Sequence, residues 1–160
     1  MKCKLLAGLL PMMLITINSQ ATIKATATRG NPDFFSDGAP HFIPLTDSGA
    51  TAISFTTTKP NQKVVISYSA ECSVRTTSTL SYLDLDILVD GVAAPPSDSD
   101  NAFCSYHGSS DPGGWLSAVT IVVARVPSAG THTLQVVGTL RNPGVGEQWS
   151  LDDSATIVTN

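Results

Sequence analysis

The chain carries three histidines, His41, His107 and His132, the side-chain type best suited to general-base work near neutral pH. Nucleophilic hydrolysis would need a Ser or Cys within hydrogen-bond reach of one of them, with a third group orienting the ring. No Gly-x-Ser-x-Gly elbow occurs, and Ser109-Ser110 sits in a loop-like stretch without a motif. His132 follows a turn and alternates with Leu134 and Val136, which predicts a structural histidine on a strand's inner or edge face. The expectation is a protein without catalytic residues. Metal chemistry is equally unsupported by spacing. There is no His-x-His or His-Glu-x-x-His, and the cysteines stand singly. Oxygen donors are more numerous. Asp84-Leu85-Asp86 places two carboxylates about 7 Å apart on one strand face. Asp98-Ser99-Asp100-Asn101 forms an acidic loop, and Asp152-Asp153 lies in the last strand. Calcium takes six to eight oxygens, and none of these clusters has an ordered ligand-loop spacing. They read as solvated carboxylates, with Asp84 and Asp86 also guarding a sheet edge against pairing. No cofactor is expected. Aromatic residues make up only 6% of the chain. Tyr106 and Trp115 flank the glycine-rich stretch His107–Gly114, where they would form a stacking platform for a sugar or else pack into the core.

The compartment follows from the N-terminus. Lys2 and Lys4 precede an almost wholly apolar stretch, Leu5 to Ile17, and Ser19 and Ala21 are small residues at the −3 and −1 positions of a cut after Ala21. Positive head, apolar stretch of about 13 residues and small-residue cut site make residues 1–21 a secretory signal peptide. A spanning helix needs about 20 apolar residues, so no membrane span is expected. Cys3 leaves with the signal, and the two remaining cysteines, Cys72 and Cys104, are expected to pair in an oxidising compartment. The signal also takes two of the nine basic residues, which leaves seven against thirteen acidic. That balance argues against nucleic acid or an anionic membrane as partner, because both require clustered Lys and Arg.

The elements that would position these residues are short and extended. Residues 22–50, rich in Gly and Pro, read as an irregular arm with a short strand near 41–45. From Thr51 onward, residues 51–160 alternate as β segments separated by turns. Strands are expected near 51–58, 62–74, 80–90, 92–95, 102–106, 115–126, 131–140 and 148–158. The segment 80–90 is the clearest, with Leu83, Leu85, Ile87 and Val89 on one face and Asp84, Asp86 and Leu88 on the other. Asp90-Gly91 then signals a tight hairpin. The long apolar segment 115–126 reads as a central strand. No window shows helical periodicity. The fold class is all-β: a single-domain antiparallel β-sandwich of jelly-roll type with one disulfide.

Several stretches in the C-terminal part resemble the ending of carbohydrate-binding modules of families 6 and 35. They are Gly114-Trp115 before an apolar strand, Val126-Pro127-Ser128-Ala129-Gly130-Thr131-His132-Thr133-Leu134, Trp149-Ser150-Leu151-Asp152-Asp153, and the upstream Leu85-Asp86-Ile87-Leu88-Val89-Asp90-Gly91. The layout also resembles tumour-necrosis-factor-like and complement-globular-head jelly rolls, which assemble as trimers. The first resemblance implies a glycan ligand near Tyr106 and Trp115 and a structural calcium on Asp152. In those modules the calcium partner is an acidic residue of an N-terminal Glu-Ala-Glu motif. That motif is missing here, which leaves Asp33 and Asp37 as the available carboxylates. The functional expectation is a secreted, non-enzymatic recognition module binding a glycan or a protein surface. The alternative is a homo-oligomeric structural protein of a surface layer, fibre or matrix.

Overall fold

The structure is a computed structural model and describes residues 21–97, 102–106 and 114–160. The expected signal peptide lies almost wholly outside the described residues, as do His107, Ser109-Ser110 and the acidic loop Asp98–Asn101. Eleven strands run in chain order: β1 (Ile23–Arg29), β2 (Asp33–Phe35), β3 (His41–Phe42), β4 (Ile53–Thr57), β5 (Gln62–Arg75), β6 (Tyr82–Val89), β7 (Val92–Ala93), β8 (Ala102–Ser105), β9 (Leu116–Val126), β10 (Gly130–Arg141) and β11 (Gln148–Thr159). No helix occurs among the described residues.

Two antiparallel sheets face each other. The first has the order β1-β11-β5-β9, with β2 continuing the β1 edge along the other half of β11. The second has the order β3-β10-β6-β7, with β4 also on β10 and β8 also on β6. Strict period-2 burial explains why these sequences choose strands. In β5 the even positions from Val64 to Val74 are buried, and the odd positions face outward. Val64, Ile66, Tyr68, Leu83, Ile87, Leu134, Val136 and Trp149 are at most 1% exposed and form one continuous core between the sheets. Cys72 in β5 and Cys104 in β8 are joined by a disulfide that ties one sheet to the other.

The segment 22–50 is not an arm laid over the domain. Its strands β1, β2 and β3 pair within the two sheets, and Ile43 and Leu45 are buried in the core. The reason it reads as irregular is that β1 turns only small residues, Ala25 and Ala27, toward the interior. The second correction concerns β9, which lies at the edge of its sheet and not at its centre. Its outward residues Val119, Ile121 and Val123 are apolar yet exposed, so the strand is hydrophobic on both faces without being covered on both. The Asp90-Gly91 hairpin forms as expected between β6 and β7, with both residues at positive φ.

Candidate functional site

The inter-sheet seam on the side of β9 is closed at one end and open at the other. Cys72–Cys104 closes it where β9 begins, since Leu116 pairs across from Cys72. Farther along, the Val123 amide donates to the Pro95 carbonyl at 3.0 Å and bridges from β9 to the chain leaving β7. Beyond that point the sheets part. A groove of about 740 Å³ opens there, walled by Val89, Val92, Ala93, Ala94, Pro95, Val123, Val126 and Pro127. Asn61, Lys63, Asp90 and Arg125 also line it, and none of its lining residues is aromatic. Arg125 is held in place by a 3.2 Å bond from Nη1 to the Asn61 carbonyl, and Lys63 is its cross-strand neighbour. The result is an apolar trough with two cations, Lys63 and Arg125, and one carboxylate, Asp90, along it. The backbone that builds it is set by small residues: Ala93, Ala94 and Pro95 leave space that larger side chains would fill.

Next to the groove lies a buried relay that sequence reading did not assemble. His132, 3% exposed, donates from Nδ1 to Asp90 Oδ2 at 2.8 Å, and its Nε2 lies 3.1 Å from the Thr57 hydroxyl. The Thr57 hydroxyl in turn donates to the Ser128 carbonyl at 3.0 Å. Asp90 Oδ1 accepts the Thr133 amide at 2.9 Å. That amide bond, followed by the His132 contact, holds the Asp90 carboxyl below the usual carboxylate range. Carboxylate, imidazole and hydroxyl stand in the order of a nucleophilic triad. Thr57, however, is only 4% exposed and its proton points at a backbone carbonyl, so it presents no nucleophile to solvent. The relay ties the end of β4 and the β6–β7 and β9–β10 turns together at the groove's end of the sandwich.

The remaining expected residues are spread out. Tyr106 is half-buried against the core, with its amide bonded to the Ser81 carbonyl at 3.0 Å. Trp115 is half-buried just before β9. Both lie near the disulfide end, away from the groove, and the stretch between them that would complete a platform falls mostly outside the described residues. Trp149 is a core plug: it is fully buried, its ring stacks on Phe35 at 3.9 Å, and Nε1 donates to the Asp37 carbonyl. Asp152 accepts the Asp153 amide where β11 bulges. Asp33, a carboxylate that the calcium resemblance would pair with it, is taken by Arg29 through two bonds of 2.8 and 2.7 Å. Asp37 pairs with His41 at 2.6 Å, and that bond keeps its carboxyl below the ordinary range.

Asp84 and Asp86 guard no edge, because β6 lies inside its sheet between β10 and the short strands β7 and β8. Asp84 is also not solvated. It is 2% exposed and takes both Nε and Nη2 of Arg141 on one oxygen, at 2.9 and 2.7 Å. Burial, and then the charge of Asp84, push the neighbouring Asp86 carboxyl up. Among the described residues, no group of three or more His, Cys, Asp or Glu is gathered as a metal site would require, and no helix is long and apolar enough to cross a membrane.

The groove could have been suspected from one signal: a return strand made of Val92-Ala93-Ala94 and stopped by Pro95-Pro96, too small to fill the space beside a long apolar strand. No protein-family model matches the chain, and a search of curated proteins finds no match either.

Proposed function

We propose that this chain is an exported, non-enzymatic recognition module that takes a small amphipathic anion in the groove between β7 and β9. The observation that carries this reading is the groove itself: apolar walls of small residues, with Lys63 and Arg125 along it and its one carboxylate, Asp90, engaged by His132 and the Thr133 amide. Such a site rewards an apolar body by burial and an anionic head by pairing with the two cations. A sugar is the poorer fit, because stacking needs a ring face and no aromatic side chain lines the trough. The disulfide supports export, since such bonds persist in oxidising compartments.

The test is a thermal-shift series on the processed chain with decanoate, decyl phosphate, decanol and cello-oligosaccharides. The two anions should raise the melting temperature, decanol should do so less, and the sugars should not. Ala93→Trp, which fills the trough, should abolish the rise. A response to oligosaccharides alone would overturn the groove reading in favour of the Tyr106–Trp115 surface. A second reading, self-assembly, is favoured by a different observation: the outward face of the first sheet exposes Val65, Val119, Ile121, Val123 and Ile157.

A further inference from the structure

The exposed face of the sheet β1-β11-β5-β9 is organised in cross-strand rows. The central row is Thr26–Ile157–Ser67–Ile121. On one side of it lies a row containing Thr159, Val65 and Val123, and on the other a row containing Thr28, Ala155, Ser69 and Val119. None of the residues just named carries a charge; Lys24, the extra residue of the β1 bulge, stands at the β1 margin of the Thr159 row. Ile121 is 56% exposed, Val119 61%, Val123 44%, Ile157 41% and Val65 39%. Away from that margin these rows are uncharged, with Val65, Val119, Ile121, Val123 and Ile157 set among Thr and Ser hydroxyls, and five large apolar side chains exposed together on one sheet face mark a surface suited to association.

The charges stand at the two ends. Lys63 and Arg125 are cross-strand neighbours just beyond the Val65 row. Glu71 lies beyond the Ser69 row, paired with Ser117 on one side and Asp152 on the other. Lys63 and Glu71 are each four residues from Ser67 along β5, and Arg125 and Ser117 are each four residues from Ile121 along β9. A two-fold axis along the central row, across the strands, therefore sets Lys63 of one copy over Glu71 of the other. The same axis sets Ile121 over Ile121 and Ile157 over Ile157. From the Lys63 row to the Glu71 row the face runs about 27 Å along the strands and about 19 Å across them, roughly 500 Å² in plan. Corrugation raises the accessible area toward the ~800 Å² that each partner of a standard interface contributes.

We infer that this face is an interface with a second copy of the same chain. Two sheets pack face to face in antiparallel sense about the Ser67–Ile121 row, with the basic end of each copy against the acidic end of its partner. The inference rests on the self-assembly reading and gives it a surface, a symmetry and a register. Its apolar centre supplies the affinity. The end charges supply direction, because the parallel arrangement would set Lys63 against Lys63 and Glu71 against Glu71.

Sedimentation equilibrium of the processed chain at roughly 1–100 µM tests it, because an interface of this modest size should dissociate within that range. The wild type should show a monomer–dimer equilibrium. Ile121→Lys, at an exposed position where the fold tolerates the change, should weaken it at least tenfold, with an unchanged circular-dichroism spectrum. Lys63→Glu and Glu71→Lys should each weaken it severalfold, and the double exchange should restore it. A monomer at every concentration would sink both this inference and the assembly reading. A dimer whose mass is untouched by Ile121→Lys, or a trimer, would leave assembly standing and remove this face and its two-fold.

Discussion

Trp149 and Gly138 provide the sharpest test of how the core is packed. Gly138 sits in β10 at an inward position, and a Cβ built there would lie 2.8 Å from Trp149 Cη2, 3.0 Å from Cζ3 and 3.1 Å from Ile43 Cδ1. Carbon atoms prefer about 3.5–4.0 Å, so Gly138→Ala forces something to move. The indole cannot readily yield. Its ring is stacked on Phe35 at 3.9 Å with an 18° interplanar angle, and its Nε1 is held by the Asp37 carbonyl. Overpacking of this kind costs about 1–3 kcal/mol. Against it stands a gain of about 0.4–1 kcal/mol from restricting the unfolded chain when Gly becomes Ala. The clash wins, leaving a net loss of about 1–2 kcal/mol, or roughly 3–7 °C in melting temperature for a domain of this size. Urea denaturation of the wild type, Gly138→Ala, Trp149→Phe and the double variant closes the cycle. Trp149→Phe removes the distal ring atoms, so in that background Gly138→Ala should cost nothing or stabilise. A neutral or stabilising Gly138→Ala in the wild-type background would refute the claim that the indole is fixed against β10.

Reduction of Cys72–Cys104, which are 32 residues apart, should cost about 3–4 kcal/mol in the chain-entropy account, read as a lower urea midpoint in dithiothreitol; an unchanged midpoint would count against it. Thr57→Val leaves the Ser128 carbonyl and His132 Nε2 without their partner and should destabilise by about 1–3 kcal/mol while leaving ligand-induced thermal shifts intact. Asp90 gives a pH signature: its folded pKa is depressed, so its contribution is complete above its ordinary value of 3.8 and is lost as pH falls through the lower folded value. The stability gap between wild type and Asp90→Asn should therefore shrink as pH falls below 4; a gap that grows as pH is taken from 4 to 2 would reverse the assignment.

How much of this was legible in the sequence depends on where each signal lives. β6 and its hairpin were readable because Leu83, Leu85, Ile87 and Val89 alternate with Asp84, Asp86 and Leu88 and Asp90-Gly91 dictates the turn. β1 was not, because a strand at a sheet margin can bury two alanines and still pair along most of its length with β11. Centre and edge were confused for β9 because local hydrophobicity reports that a face is apolar, not that something covers it. The Asp90–His132–Thr57 relay joins residues 42 and 75 positions apart, and the Asp84–Arg141 pair spans 57. Contacts of that range depend on register between strands, which no local pattern carries.

The two proposed surfaces share one structural origin. The sheets are pinned by a disulfide at one end and joined by the Val123–Pro95 backbone bond farther along, and beyond both the small residues of β7 leave a trough. The strand that forms the wall of that trough, β9, also turns Val119, Ile121 and Val123 to the outside, so the groove and the apolar face are the two sides of one ribbon. Lys63 and Arg125 stand at the corner where those surfaces meet. A cation engaged with Glu71 of a partner copy is less available to an anion in the groove, and the reverse holds equally, so the two equilibria must be linked with opposite sign. An amphipathic anion that raises the melting temperature should therefore also weaken self-association, by the same factor by which self-association weakens its binding. Sedimentation with and without decyl phosphate reads that factor directly, and an anion that binds while leaving the monomer–dimer constant unmoved would show that Lys63 and Arg125 serve only one of the two surfaces.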